Sequence, residues 1–159
     1  MLGERPMLGR EHAIGHPVLT DASTGLANRL HFELVFSYVF HGAGRGVPLT
    51  LVLAATSVTD LGGLRVLGEK FQSCTRASDL VAYLGEGRFI LLLFGSNTSG
   101  GRVAADRIET AIHGLTPGPV SIGIASYTAD MKESADLLEA VDRMLRVAEA
   151  AGGGIEMPG

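Results

Sequence analysis

Leu80-Val81-Ala82-Tyr83-Leu84-Gly85-Glu86-Gly87-Arg88-Phe89-Ile90-Leu91-Leu92-Leu93-Phe94 decides the fold, because two strand-sized apolar runs flank a glycine-rich turn. That arrangement predicts a β-hairpin and leaves its loop type open. Working outward, Leu64, Leu67, Phe71 and Cys74 fall on one helix face before the hairpin. Val103, Ile108 and Ile112 mark another helix after the Ser96-Asn97-Thr98-Ser99 loop. Leu49 to Ala55 is apolar enough for a fully buried strand. Val120, Ile122 and Ile124 alternate with Ser121, Gly123 and Ala125 as a half-buried one. Leu138, Val141, Leu145 and Ala148 mark a last helix that Gly152 to Gly154 end.

Leu30 to His41 fits two templates. Phe32, Leu34, Phe36, Tyr38 and Phe40 alternate like a strand, whereas Leu34, Val35, Tyr38 and Val39 make a helical stripe. Asn28 is a good N-cap and tips the expectation to a helix. Such a helix is apolar on more than one face, which suggests a second burial partner or a homodimer contact. The order helix, strand, helix, hairpin, helix, strand, helix predicts an α+β fold. Its helices flank a central mixed, largely antiparallel sheet of about five strands.

The chain of 159 residues has 46% hydrophobic and 19% charged residues, the balance of one globular domain. We divide it into an N-terminal leader (1–19), the domain (20–155) and a short tail (156–159). A formal net charge of −4 argues against a broad nucleic-acid-binding face, so an anionic partner must be small and held by a few arginines. Cys74 is the single cysteine, which rules out an intramolecular disulfide and a thiolate zinc cluster; its place on the apolar stripe suggests a buried structural thiol. No apolar run reaches membrane-spanning length, and Met1 to Pro17 lacks the apolar core of a signal peptide, so the expected setting is cytoplasmic. His12 and His16 have a helical spacing that suits a metal, but Gly15 and Pro17 disfavour a helix there and no third ligand is near. No metal and no cofactor are expected.

Asp21-Ala22-Ser23-Thr24-Gly25-Leu26-Ala27-Asn28-Arg29 resembles the opening motif of GGDEF domains, the diguanylate cyclases of bacterial cyclic di-GMP signalling, with Ser23 the one departure. Gly85, Glu86, Gly87, Arg88 and Phe89 fall where that family carries its Gly-Gly-Asp/Glu-Glu-Phe signature. Ser121-Ile122-Gly123-Ile124-Ala125 is similar to its late strand, and Ala148 with Ala150-Ala151-Gly152 to its C-terminal helix end. The resemblance runs from about Asp21 to Ile155 and implies the cyclase-like, palm-like sheet architecture, with Leu30 to His41 as a helix.

The resemblance also implies which residues catalysis would need. Two-metal nucleotidyl transfer requires carboxylates that converge on divalent ions. In the family these come from an Asp ending the first strand and from the acidic pair of the signature. Here Ala55 takes the first place, Ser57 stands at the next alternate position, Gly87 replaces one signature acid and Arg88 the other. A cation in that place repels divalent ions. Glu86 replaces the second signature glycine, Val58 to Gly63 is shorter than the family's substrate-binding segment, and Glu149 stands where a phosphate-contacting Lys is usual. We therefore expect no catalytic residue and no enzyme. Arg88 either pairs with Glu86 across the turn or takes a new anion.

Many cyclases of the family carry an inhibitory site for cyclic di-GMP built on Arg-x-x-Asp. Arg76-Ala77-Ser78-Asp79 has that pattern and the family's spacing from Gly85, and Arg107 falls where a further arginine of the site is expected. A guanidinium forms paired hydrogen bonds with guanine O6 and N7 or with a phosphate, and a carboxylate complements guanine's N1 and N2 donors. Arg76 and Asp79 pairing with each other to cap a turn is the bland alternative. Three hypotheses follow: a non-catalytic cyclic di-GMP receptor signalling to a protein partner or to its own dimer; a ligand-free protein–protein interaction module using the Leu30–His41 helix, with Phe36 and Phe40 on its docking face; and an enzyme of altered chemistry that still binds GTP.

Overall fold

A computed structural model describes residues 18–159. The leader's His12 and His16 lie outside the described residues. Helix α1 (Arg29–Ala43) is followed by strand β1 (Leu49–Ala55), helix α2 (Leu61–Ser73), the hairpin strands β2 (Leu80–Gly85) and β3 (Arg88–Phe94), helix α3 (Thr98–Ala111), strand β4 (Ser121–Ser126), helix α4 (Ser134–Ala150) and strand β5 (Gly154–Glu156). The strands form one sheet in the order β2-β3-β1-β4-β5. All neighbours run antiparallel except β4 and β5. The expected mixed, largely antiparallel sheet is therefore observed. The short β5 was not among the sequence-predicted strands, since three residues are too few to carry a period of two and its strand character comes from pairing with Ser121–Gly123.

Alternation in the strands divides the core into two layers. On one face Val52, Ala54, Phe89, Leu91, Leu93 and Ile122 pack against Leu64, Leu67 and Phe71 of α2 and Ala105 and Ile108 of α3. On the other, Leu49, Leu51, Leu53, Ile90 and Leu92 meet Phe32, Phe36 and Phe40 of α1 and Leu137, Val141 and Leu145 of α4. Burying each such side chain contributes about 1.5–3 kcal/mol. Strand β1 lies between β3 and β4 and is buried along nearly its whole length. Helix α4 comes so close to β4 that a Cβ on Gly123 would sit 2.4 Å from the Leu145 nitrogen.

The ambiguous Leu30–His41 segment is helical. Asn28 caps it, Oδ1 accepting from the His31 nitrogen at 2.9 Å, an interaction worth about 1 kcal/mol. Phe32, Phe36 and Phe40, four residues apart, face the core, while Leu30, Leu34 and Tyr38 form an exposed parallel row. Phe36 and Phe40 are thus core residues, not a docking face, and the outward apolar row is carried by different positions. Cys74 is also displaced from the expected buried stripe: it caps the C-terminus of α2 and is only half-buried.

Candidate functional site

The hairpin turn consists of Glu86 and Gly87, both with positive φ (55° and 76°), the sign pattern of a type I′ turn. Gly87 is fastened on three sides. Its nitrogen donates to the Tyr83 hydroxyl at 2.9 Å; its carbonyl accepts from the Thr56 nitrogen at 2.8 Å and from Thr56 Oγ1 at 3.1 Å. A Cβ at position 87 would lie 2.3 Å from the Thr56 carbonyl oxygen. The following Phe89 is fully buried and stacks on Phe71 with ring centroids 4.2 Å apart.

Arg88 opens β3 directly opposite Ala55 in the antiparallel ladder. Its Nη1 lies 3.6 Å from Asp142 Oδ1 and its Nη2 3.9 Å from Glu149 Oε2, both on α4. The cross-turn pair with Glu86 does not form. Asp142 also pairs with Arg146, so the charges alternate in the series Glu149, Arg88, Asp142, Arg146. Arg88, Asp142 and Glu149 are each more than a third exposed, so the pairs are individually weak.

The structure thus brings the Ala55, Arg88 and Glu149 positions together, and what meets there is a methyl group, a guanidinium and a carboxylate. This donor set does not fit the divalent ions that the resemblance implies. Among the described residues no group of three or more His, Cys, Asp or Glu side chains is placed to hold a metal ion. Ser57 is exposed in the loop leading to α2. Asp60 already caps α2, its Oδ2 accepting from the Gly63 nitrogen at 2.8 Å, so the segment from Val58 to Gly63 contains the helix's first turn.

Arg76 and Asp79 occupy the turn between α2 and β2. Asp79 Oδ2 accepts from the Arg76 backbone nitrogen at 3.0 Å and from its Nε at 3.3 Å, and Oδ1 accepts from Nη2 at 3.2 Å. The Asp79 side chain is 4% exposed and that of Arg76 57%, so the buried carboxylate is paired with a guanidinium that reaches solvent. The hydrogen bond and charge of Asp79 raise the Arg76 pKa further above its already high ordinary value. Arg76 Nη2 also donates to Ser96 Oγ at 2.8 Å. The pairing foreseen as the bland alternative is therefore present, yet the two residues do not stand alone. Arg76, Asp79 and Arg107 line one cleft of about 240 Å³, together with Cys74, Ser96 and Val103. Arg107 is exposed and makes no ion pair among the described residues.

Sequence reasoning missed several partners. Asp142 and Arg146 share a face of α4 with Glu149, a spacing of four and then three residues that could have disclosed them. Thr56 and Ser96 carry no such signal, because their roles arise from strand ends meeting in space. A further cavity of about 620 Å³ lies between the Thr24-Gly25 loop and α2, where Arg65, Glu69 and Gln72 contribute to the wall.

Residues 56–154 match the family described as diguanylate cyclase, GGDEF domain. Three solved structures share the architecture. The GGDEF domain of DgcB from Caulobacter crescentus in complex with c-di-GMP superposes with a TM-score of 0.81 at 16% identity, covering 89% of this chain and 96% of that one. Diguanylate cyclase SiaD in complex with its activator SiaC, from Pseudomonas aeruginosa, gives 0.81 at 16% identity, covering 98% and 67%. The active GGEEF domain of a diguanylate cyclase from Vibrio cholerae gives 0.73 at 20% identity, covering 84% and 99%. No curated relative matches the chain by sequence.

Proposed function

The chain belongs to the diguanylate cyclase GGDEF family, and from that premise we propose that it is a non-catalytic receptor for cyclic di-GMP. Arg76, Asp79 and Arg107 bind the dinucleotide, and occupancy is passed to a protein partner or to the chain's own dimer. One observation carries this reading: Arg107 of α3, distant in sequence, borders a single cleft with Arg76 and Asp79 of the α2–β2 turn. At about 240 Å³ the cleft is smaller than the roughly 300–1,000 Å³ typical of sites that enclose a whole small ligand. It therefore takes one guanine base, and the phosphates lie at its mouth within reach of the two guanidinium groups.

The missing catalytic side of the proposal rests on the donor set. A methyl at Ala55, no side chain at Gly87 and a cation at Arg88 offer a divalent ion no side-chain oxygen at these three positions, and the nearby Asp142 and Glu149 carboxylates are paired with Arg88. Related solved structures include one bound to c-di-GMP and one bound to a protein activator, which makes both the ligand and protein-partner halves of the proposal reasonable for this fold. Among the described residues no helix is long and apolar enough to cross a membrane, in keeping with a receptor that works in the cytoplasm.

Calorimetric titration tests the proposal. The protein is expected to bind cyclic di-GMP, and Arg76→Ala or Asp79→Ala to weaken binding at least tenfold, the effect of about 1.4 kcal/mol. Equal affinity in the variants moves the site elsewhere. Formation of any cyclic dinucleotide from GTP with magnesium or manganese removes the non-catalytic half.

A further inference from the structure

The two binding residues of the α2–β2 turn are already engaged with each other at the edge of the proposed cleft. A guanidinium has five N–H donors, one on Nε and two on each terminal nitrogen. In Arg76 the Nε donor goes to Asp79 Oδ2, and the two on Nη2 go to Asp79 Oδ1 and Ser96 Oγ. The Phe94 carbonyl, 3.5 Å from Nη2, adds a weaker acceptor on the same side. Only the Nη1 donors are left without a partner in this arrangement. A paired contact with a guanine edge or a phosphate needs two neighbouring nitrogens, so one of these bonds has to be exchanged when ligand enters. Both Asp79 oxygens accept from Arg76, and the side chain is 4% exposed, so the carboxylate takes up ligand donors only by exchanging bonds to Arg76.

Ser96 does not hang on a loose loop. Its carbonyl accepts from Thr50 Oγ1 at 2.7 Å. The Thr50 hydroxyl is 2.7 Å from Ser126 Oγ, which in turn is 2.7 Å from Thr98 Oγ1. Thr50 is fully buried on the central strand β1. A chain of hydroxyl groups therefore anchors the β3–α3 connection to the middle of the sheet, and Ser96 presents its Oγ to Arg76 from an anchored backbone. The network holds the Ser96 backbone through its carbonyl, and the Ser96 hydroxyl carries the exposed bond to Arg76.

We propose that Ser96 is the positioning residue of a latch that holds Arg76 over Asp79 and so sets the affinity of the cleft. The inference rests on the receptor reading for its effect on ligand. Opening costs the Arg76–Ser96 bond, and removing the hydroxyl lowers that cost. Substitution at Ser96 therefore tightens binding, the reverse of what loss of a ligand contact does.

The test uses the full chain as wild type, Ser96→Ala and Ser96→Thr. Solvent exchange of the Arg76 Nε–H, followed by nitrogen–proton correlation spectra without ligand, is expected to speed up severalfold in Ser96→Ala and to return toward the wild-type rate in Ser96→Thr. Calorimetry is expected to show cyclic di-GMP binding about fivefold tighter to Ser96→Ala, the size of one net hydrogen bond. Unchanged exchange in Ser96→Ala overturns the latch, and so does weaker binding, which makes Ser96 a ligand contact instead. Faster exchange with no cyclic di-GMP binding by any of the three proteins supports the latch and overturns the receptor reading alone.

Discussion

Strand β2 connects two ends of the sheet that have been built in opposite ways. Beside its first residue Arg76 and Asp79 border a cleft; five residues on, about 17 Å along the strand, the Glu86-Gly87 turn is packed shut. Both ends hold charged side chains, but they use them differently. At the hairpin end Arg88 is answered by carboxylates of another element, Asp142 and Glu149 on α4, so the cluster ties the hairpin to a helix. At the cleft end Arg76 is answered by a residue of its own turn, and the cavity wall beyond it is free for a ligand. The difference teaches that the hairpin end is defined by backbone packing as well as by side-chain charge. The backbone at Gly87 lies so close to Thr56 that no side chain fits at position 87 without moving the strand end.

Gly87→Asp attacks that comparison most directly. The new Cβ meets the Thr56 carbonyl at 2.3 Å, and φ of 76° is strained for any L side chain. A loss of about 2–4 kcal/mol is expected in urea unfolding. If the midpoint and slope stay at wild-type values, the hairpin end is not closed by the Gly87–Thr56 contact and has room for a carboxylate.

Arg88→Glu probes the charges without touching the backbone. It sets a third carboxylate beside Asp142 and Glu149 and leaves, among the described residues, Arg146 as the cation paired with that cluster. Because every member is more than a third exposed, solvent screens the repulsion, and the expected loss is below about 1 kcal/mol and shrinks in high salt. Cyclic di-GMP affinity is expected to stay unchanged, since no α4 residue lines the Arg76 cleft. A large change in affinity would show that the two ends are coupled.

The legible parts of the molecule are those that depend on period and spacing. The hairpin, the buried strand from Leu49 to Ala55 and the Asn28 cap follow from residue order, whereas the grouping of Arg76, Asp79 and Arg107, which line one cleft, was implied by the family resemblance alone. Leu30–His41 was harder because a residue set spaced by two contains one spaced by four. The helix uses Phe32, Phe36 and Phe40 inward and turns Leu34 and Tyr38 out, so the phenylalanines were legible as apolar but not as to side. The partner of Arg88 was illegible for another reason. Glu86 is its neighbour in sequence, but the turn leaves Glu86 exposed, while the sheet's layering puts α4 over the Arg88 face. Long-range partners such as Thr56 for Gly87 and Ser96 for Arg76 have no local pattern and emerge only from the fold.

The smallest expected effect separates the two ends by pH. Asp136 sits in the first turn of α4, where its Oδ2 accepts from the Lys132 nitrogen at 2.8 Å and the Glu133 nitrogen at 3.0 Å. The hydrogen bond from Glu133, then that from Lys132, favours the charged carboxylate and lowers its pKa below the ordinary value. A carboxyl group with a depressed pKa in the folded state stabilises the fold above its unfolded pKa, near 4, and that stabilisation is lost as the pH falls through the folded value. Asp136→Asn keeps an oxygen for both amides and removes only the charge. Its thermal midpoint is expected to lie slightly below wild type at pH 6 and to converge with it on acidification below about pH 4. Helix α4 carries the carboxylates that hold Arg88 but none of the cleft, so the loss is expected to appear first in faster amide exchange along α4 and at Arg88, before exchange at Asp79 changes. A difference between the proteins that persists undiminished at low pH would assign the effect to altered cap geometry, and simultaneous loosening of Asp79 would show that the two ends of β2 unfold as one unit.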